Sequence, residues 1–238
     1  MKFSSNWLIP AGLLVLTLVP SAAGTLRLTE MAGAAAVLPD GDRVVQSPVA
    51  LAVHIVSVIV FGVVGAFQFA PSFRRRHRRW HRVAGRILVP CGLVAAVTGL
   101  WLTLFLPPAE VDSVVLSGVR VVVVAYMVVS LILGFTAIRR RDFPAHRAWM
   151  IRGYAIGMGA GTQFFTSAVW MAAAGSFTPA SRTATMAAAW LINAVAAEWI
   201  IRRKTRRKTP RAARPVARQA ARPGVAAGSA IDTVRNLG

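Results

Sequence analysis

Cysteine occurs once in the 238 residues, at Cys91 in an apolar segment, so no intramolecular disulfide can staple the chain. No Cys or His grouping has the spacing of zinc ligands. No glycine-rich stretch follows the P-loop pattern, and neither GxSxG nor another nucleophile motif is present. Soluble-enzyme chemistry therefore has no support. Acidic residues are scarce too: eight Asp and Glu stand against 28 Lys and Arg, a formal charge of +20. Such an excess invites a nucleic-acid reading, and the placement of the charges decides the matter.

Of the 28 basic residues, 23 fall in two short turns with the adjacent first turns of helices, and in the C-terminal tail. Arg27, Arg43 and Arg182 fall in the alternate loops, together with five of the eight acids, Glu30, Asp40, Asp42, Glu110 and Asp112. That asymmetry is the positive-inside pattern of a membrane protein and needs no nucleic acid. Apolar residues make up 55% of the chain and the mean hydropathy is +0.56, beyond a soluble domain's usual share. They come in blocks of roughly 20 residues, the length that crosses a bilayer.

The chain is organised around Arg74 to Arg86, RRRHRRWHRVAGR, and its echo at Arg139 to Arg152, RRRDFPAHRAWMIR. Aligned without a gap, both read Arg-Arg-Arg, four residues, His-Arg, with His81 and His146 65 residues apart. A basic turn between two apolar helices, occurring twice at a fixed period, reads as a duplicated helical hairpin whose turns share one side of a membrane.

The expected fold is an all-α polytopic transmembrane bundle of about six helices. The first runs from about Trp7 to Ala23, either as an uncleaved helix or as a signal peptide ending in Ser21-Ala22-Ala23-Gly24. An external loop, 24–47, precedes a bundle over 48–201 with helices at about Val49 to Phe69, Ile87 to Leu106, Val114 to Ile138, Ala148 to Ala174 and Ala184 to Ile201. Residues 202–238, rich in Arg, Lys, Ala and Pro, read as a disordered basic tail. Both termini, the basic turns and the tail then face the cytoplasm, against anionic lipid headgroups. Gly153, Gly157 and Gly161, with Gly159 between, mark the fifth helix for close approach by a neighbour and a central place in the bundle.

Ionisable groups within the spans are the functional candidates. His54 stands about six residues into the second helix and reads as a pathway or cofactor ligand, or as a neutral imidazole bonded to a neighbouring helix. Arg120 lies at similar depth in the fourth helix, where it reaches the interface or pairs with Glu110 or Asp112. His81 and His146 stand just before their helices, with Arg82, Arg86, Arg147 and Arg152 beside or beyond them. These residues fit headgroup phosphates. The two imidazoles also fit axial ligation of a haem, or a quinone, at the inner end of a four-helix core. Gln68, Gln163 and Asn193 are the further polar groups in the spans, and Glu198 is placed to pair with Arg202, Arg86 or Arg152. Three classes follow: a structural or lipid-interacting protein, a redox module, and a small-solute transporter using His54, Arg120 and Gln163.

HIVSVIVFGVVGAFQFAPSFRRRHRRWHRVAGRI, beginning at His54, followed by RRRDFPAHRAWMIRGYAI, resembles the bacterial predicted membrane proteins catalogued as domain of unknown function 2306. The matching features are His54, Gln68-Phe69, His81-Arg82, Gly85-Arg86, His146-Arg147 and Trp149-Met150-Ile151-Arg152, within about residues 50 to 170. The resemblance implies a multi-pass membrane protein and carries no activity. The glycine-rich GYAIGMGAGTQFF after Arg152 departs from the family pattern.

Overall fold

A computed structural model describes residues 7–39 and 46–208, and the side chains as far as 203. Eight helices follow in order: α1 (Leu8–Met31), α2 (Pro48–Gln68), α3 (Pro71–Arg76), α4 (Arg78–Phe105), α5 (Val114–Arg139), α6 (Phe143–Gly157), α7 (Gly159–Ala174) and α8 (Pro179–Lys208). No strand occurs among the described residues. Five of the helices, α1, α2, α4, α5 and α8, are long and apolar enough to cross a membrane. Large apolar side chains such as Val97, Val122, Leu191 and Val195 stand exposed along them, as lipid contact requires.

The first helix runs eight residues beyond its expected end at Ala23, to Met31. Arg27 and Glu30, one turn apart, close an ion pair at 2.8 Å. The Glu30 carboxylate accepts from the backbone N–H groups of Val37 and Leu38, and Arg27 donates to the Pro39 carbonyl. Much of the expected loop is therefore helix and a return segment tied to its end. The last helix likewise extends into the expected tail: residues 202–208 are helical, carried by good helix formers and begun by the Glu198 and Arg202 pair at 3.8 Å. Residues 209–238 of that tail, and Asp40, Asp42 and Arg43, lie outside the described residues.

The expected fifth helix is divided in two at Met158, between Gly157 and Gly159. Met158 caps both halves: its N–H donates to the Tyr154 carbonyl and its carbonyl accepts from the Thr162 N–H. Each expected glycine meets a different neighbour: Gly153 faces Leu131 of α5, Gly157 faces Phe61 of α2, Gly159 faces Trp190 of α8, and Gly161 faces the Leu16 carbonyl of α1. The divided span is thus central. Pro20 explains the last contact, because it has no N–H to give Leu16, and the freed carbonyl points at Gly161.

α2 packs along α1 and α4, α5 along α4 and α6, and α7 along α1. Their shared core is Phe61, Leu88, Ala96, Met127, Leu131, Tyr154, Ile156 and Met158. Tyr154 carries its polar end into this core and donates to the Gly62 carbonyl at 2.7 Å, which satisfies an otherwise costly hydroxyl.

Candidate functional site

The duplicated basic turns build one end of the bundle. Both histidines lie inside the first helical turn and not ahead of it: each is the fourth residue of its helix, His81 in α4 and His146 in α6. Their N–H groups make early bonds of those helices, to His77 and Asp142. The turns themselves differ. The first contains α3; the second is short, with Arg141 at φ 61° and Asp142 capping α6 by accepting from the Ala145 N–H at 3.0 Å.

The two imidazoles are held differently as well. His146 Nδ1 lies 2.8 Å from the Gly134 carbonyl and donates to it. His81 Nδ1 is buried without a partner, close enough to Arg74 and His146 to feel their charge. Arg147, half-buried, feels Arg74 in turn. At the same end, both polar atoms of the Gln68 carboxamide and the Ser72 hydroxyl are buried and unbonded. Among the described residues no ion pair joins Arg74 or Arg147 to a carboxylate. Arg82 and Arg86 are exposed on α4. Trp80 and Phe67 stack around Phe73, with the Phe73 and Trp80 rings 4.9 Å apart, as an aromatic belt at an interface does. Cations and unbonded polar groups thus stand at this end without an acid paired to Arg74 or Arg147 among the described residues.

At the other end of α5, Arg120 pairs with Asp112 at 2.8 Å and leans on the Met186 sulfur at 3.8 Å. Asp112 is also 3.7 Å from Arg182 at the start of α8, and its side chain is only 4% exposed. Ser113 and Thr183 share a hydrogen bond of 2.8 Å that joins the same two helix starts. His54 lies elsewhere: its Nδ1 is 3.0 Å from the Ala95 carbonyl and 3.1 Å from the Thr98 hydroxyl, both on α4. Gln163 lies on α7. His54 of the transport reading therefore stands apart from Arg120, while Gln163 shares its surroundings with Arg182 and Met186, the neighbours of Arg120.

Glu198 takes Arg152 at 2.6 Å, and Arg152 also lies 4.6 Å over the Trp149 ring. Asn193 accepts from Thr162 at 3.0 Å, which fastens α8 to α7. Sequence reasoning missed Ser72, Arg74 as a partly buried cation, and the part Arg182 plays with Asp112. Arg182 carried no signal beyond its charge, because its partner lies 70 residues earlier. Arg74 had one: it opens the first basic run.

No curated protein and no solved structure matches the chain. A family model described as "Predicted membrane protein (DUF2306)" matches residues 51–201, from the first turn of α2 into the last part of α8. That stretch holds both basic turns, His81 and His146, and the ion pairs of Arg120, Arg152 and Arg182, and the chain belongs to this family of predicted membrane proteins.

Proposed function

We propose that this is a lipid-interacting membrane protein whose paired basic turns hold anionic headgroups. The observation that carries the reading is the buried and unbonded His81 Nδ1, Gln68 carboxamide and Ser72 hydroxyl in and beside the basic turns, where Arg74 and Arg147 have no carboxylate partner among the described residues. A buried or half-buried cation left without a counter-charge costs several kcal/mol, and a phosphate supplies both the charge and several acceptor oxygens. The exposed Arg75, Arg76, Arg78, Arg79, Arg82 and Arg86 extend the same field over the surface. Each adds about 1 kcal/mol of attraction to an anionic leaflet. The positive-inside pattern supports a cytoplasmic position for this face.

The test is lipid retention. Protein extracted in mild detergent carries anionic phospholipid that native mass spectrometry counts, and the Arg74→Gln/Arg147→Gln double variant retains several-fold less. Equal retention by folded variant and wild type ends the reading.

A redox reading keeps one observation in its favour. His146 donates through Nδ1 to a backbone carbonyl, the arrangement that orients a metal-binding imidazole, and His81 is its neighbour. An absorption spectrum of the purified protein, oxidised and then dithionite-reduced, shows Soret, α and β bands if haem is held there. A featureless spectrum from protein produced with haem supplied removes it.

A further inference from the structure

Between α1, α7 and α8 lies an open groove of about 280 Å³ that the basic turns do not reach. Its apolar walls include Val19 and Pro20 of α1, Phe164 of α7 and Met186 of α8. Three polar side chains line it, Gln163, Ser167 and Arg182. The amide nitrogen of Gln163 and the Nε of Arg182 are both buried, and both lack a hydrogen-bond acceptor. Each is a donor; Asp112 Oδ1, itself unbonded, stands 3.7 Å from the Arg182 Nε, beyond hydrogen-bond reach, and the Gln163 amide has no acceptor.

The charge balance says which kind. Arg120 and Arg182 share the single carboxylate of Asp112, and the shares are unequal: 2.8 Å to Arg120, 3.7 Å to Arg182. Two guanidiniums against one carboxylate leave one positive charge. The longer contact leaves it on Arg182, whose guanidinium is braced 5.3 Å over the Phe177 ring. A planar guanidinium presents its N–H groups in a fork that matches the two oxygens of a carboxylate, the smallest singly charged head that does so. Apart from Ser167, the rest of the groove is apolar and open along its side, suited to a hydrocarbon chain and at the small end of the size range of ligand sites.

We infer that this groove binds a single-chain amphiphile with a carboxylate head, a free fatty acid in chemical class. The carboxylate accepts from Arg182 and from the Gln163 amide, and the chain lies along Val19, Pro20 and Phe164. The site is independent of the headgroup face, which lies at the other end of α5.

The test uses the full chain in neutral nanodiscs and titrates radiolabelled palmitate, with hexadecanol and phosphatidylglycerol as competitors. Palmitate binds saturably. Arg182→Gln weakens it by about tenfold or more, the size of a lost charge-assisted hydrogen bond. Gln163→Leu weakens it severalfold at unchanged melting temperature, since no bond within the protein is lost from that amide nitrogen. Because Arg182 also touches Asp112, Gln163→Leu is the variant that separates binding from folding. The inference is overturned if palmitate shows no saturable binding, or if folded Gln163→Leu and Arg182→Gln bind as wild type does. It is overturned equally if hexadecanol displaces palmitate at the same concentration, or if phosphatidylglycerol occupies the groove in its place.

Discussion

Replacing Gly161 by alanine adds one methyl at the tightest approach in the bundle. A Cβ built there lies 1.9 Å from the Leu16 carbonyl oxygen, 2.7 Å from its carbon and 3.0 Å from the Leu16 Cα. All three are backbone atoms, so no side chain can rotate away. Ordinary contact begins at 3.4 Å, and α7 must therefore move from α1 by about 1.5 Å. The helix partners of lipid-embedded bundles are held largely by packing, so the shift loosens the whole α1 and α7 seam. Overpacking of this kind costs about 1–3 kcal/mol, set against a gain of up to about 1 kcal/mol because alanine favours a helix over glycine. The expected net loss is about 1–2 kcal/mol, or ~2–8 °C in melting temperature for a chain of this size. Gly85→Ala is the control, since a Cβ at Gly85 meets nothing within 4 Å. It receives the helix gain alone and melts at or above wild type. Thermal unfolding in detergent, followed by tryptophan fluorescence, compares the two. The reasoning is refuted if Gly161→Ala melts with Gly85→Ala.

Asp112→Asn removes the one acid between Arg120 and Arg182 and leaves two guanidiniums facing each other. Each arginine keeps about a quarter of its exposure, so the cost is roughly 2 kcal/mol, below that of a fully buried pair. It shows as a lower melting temperature that the further change Arg182→Gln partly restores; no restoration contradicts the shared-carboxylate geometry. Arg152 and Glu198 are 21% and 34% exposed, so their 2.6 Å pair is screened. A double-mutant cycle through Arg152→Gln and Glu198→Gln gives a coupling of about 0.5–1 kcal/mol that shrinks with added salt. A coupling of zero at low salt means the pair contributes nothing to folding.

The parts of this fold governed by local pattern could be read from the residues. Block length gave the spans, the 65-residue repeat gave the paired hairpins, and His81 and His146 do take the same helical position. Two pairings were legible because sequence proximity or helix register suggested the partner: Arg120 with Asp112 eight residues away, and Glu198 with Arg152 at the same end of the bundle. The extension of α1 was missed because an apolar block was taken to end where polarity rises, whereas Arg27 and Glu30 satisfy each other and carry the helix on. The break at Met158 was missed for a different reason. GYAIGMGAGTQFF permits a bend, but the approach of Leu16, Phe61 and Trp190 decides where it falls, and those residues lie on three distant helices. The groove was illegible for the same cause, since α1, α7 and α8 meet only in three dimensions.

Pro20 and Gly161 stand on opposite sides of a boundary in the chain: the stretch shared with the family begins at residue 51, after α1 has ended. Gly161, Gln163 and Arg182 lie inside the matched stretch, while Val19 and Pro20, the wall of the groove that α1 supplies, lie outside it. A change in α1 alone can therefore reshape the groove without touching any residue of the matched stretch.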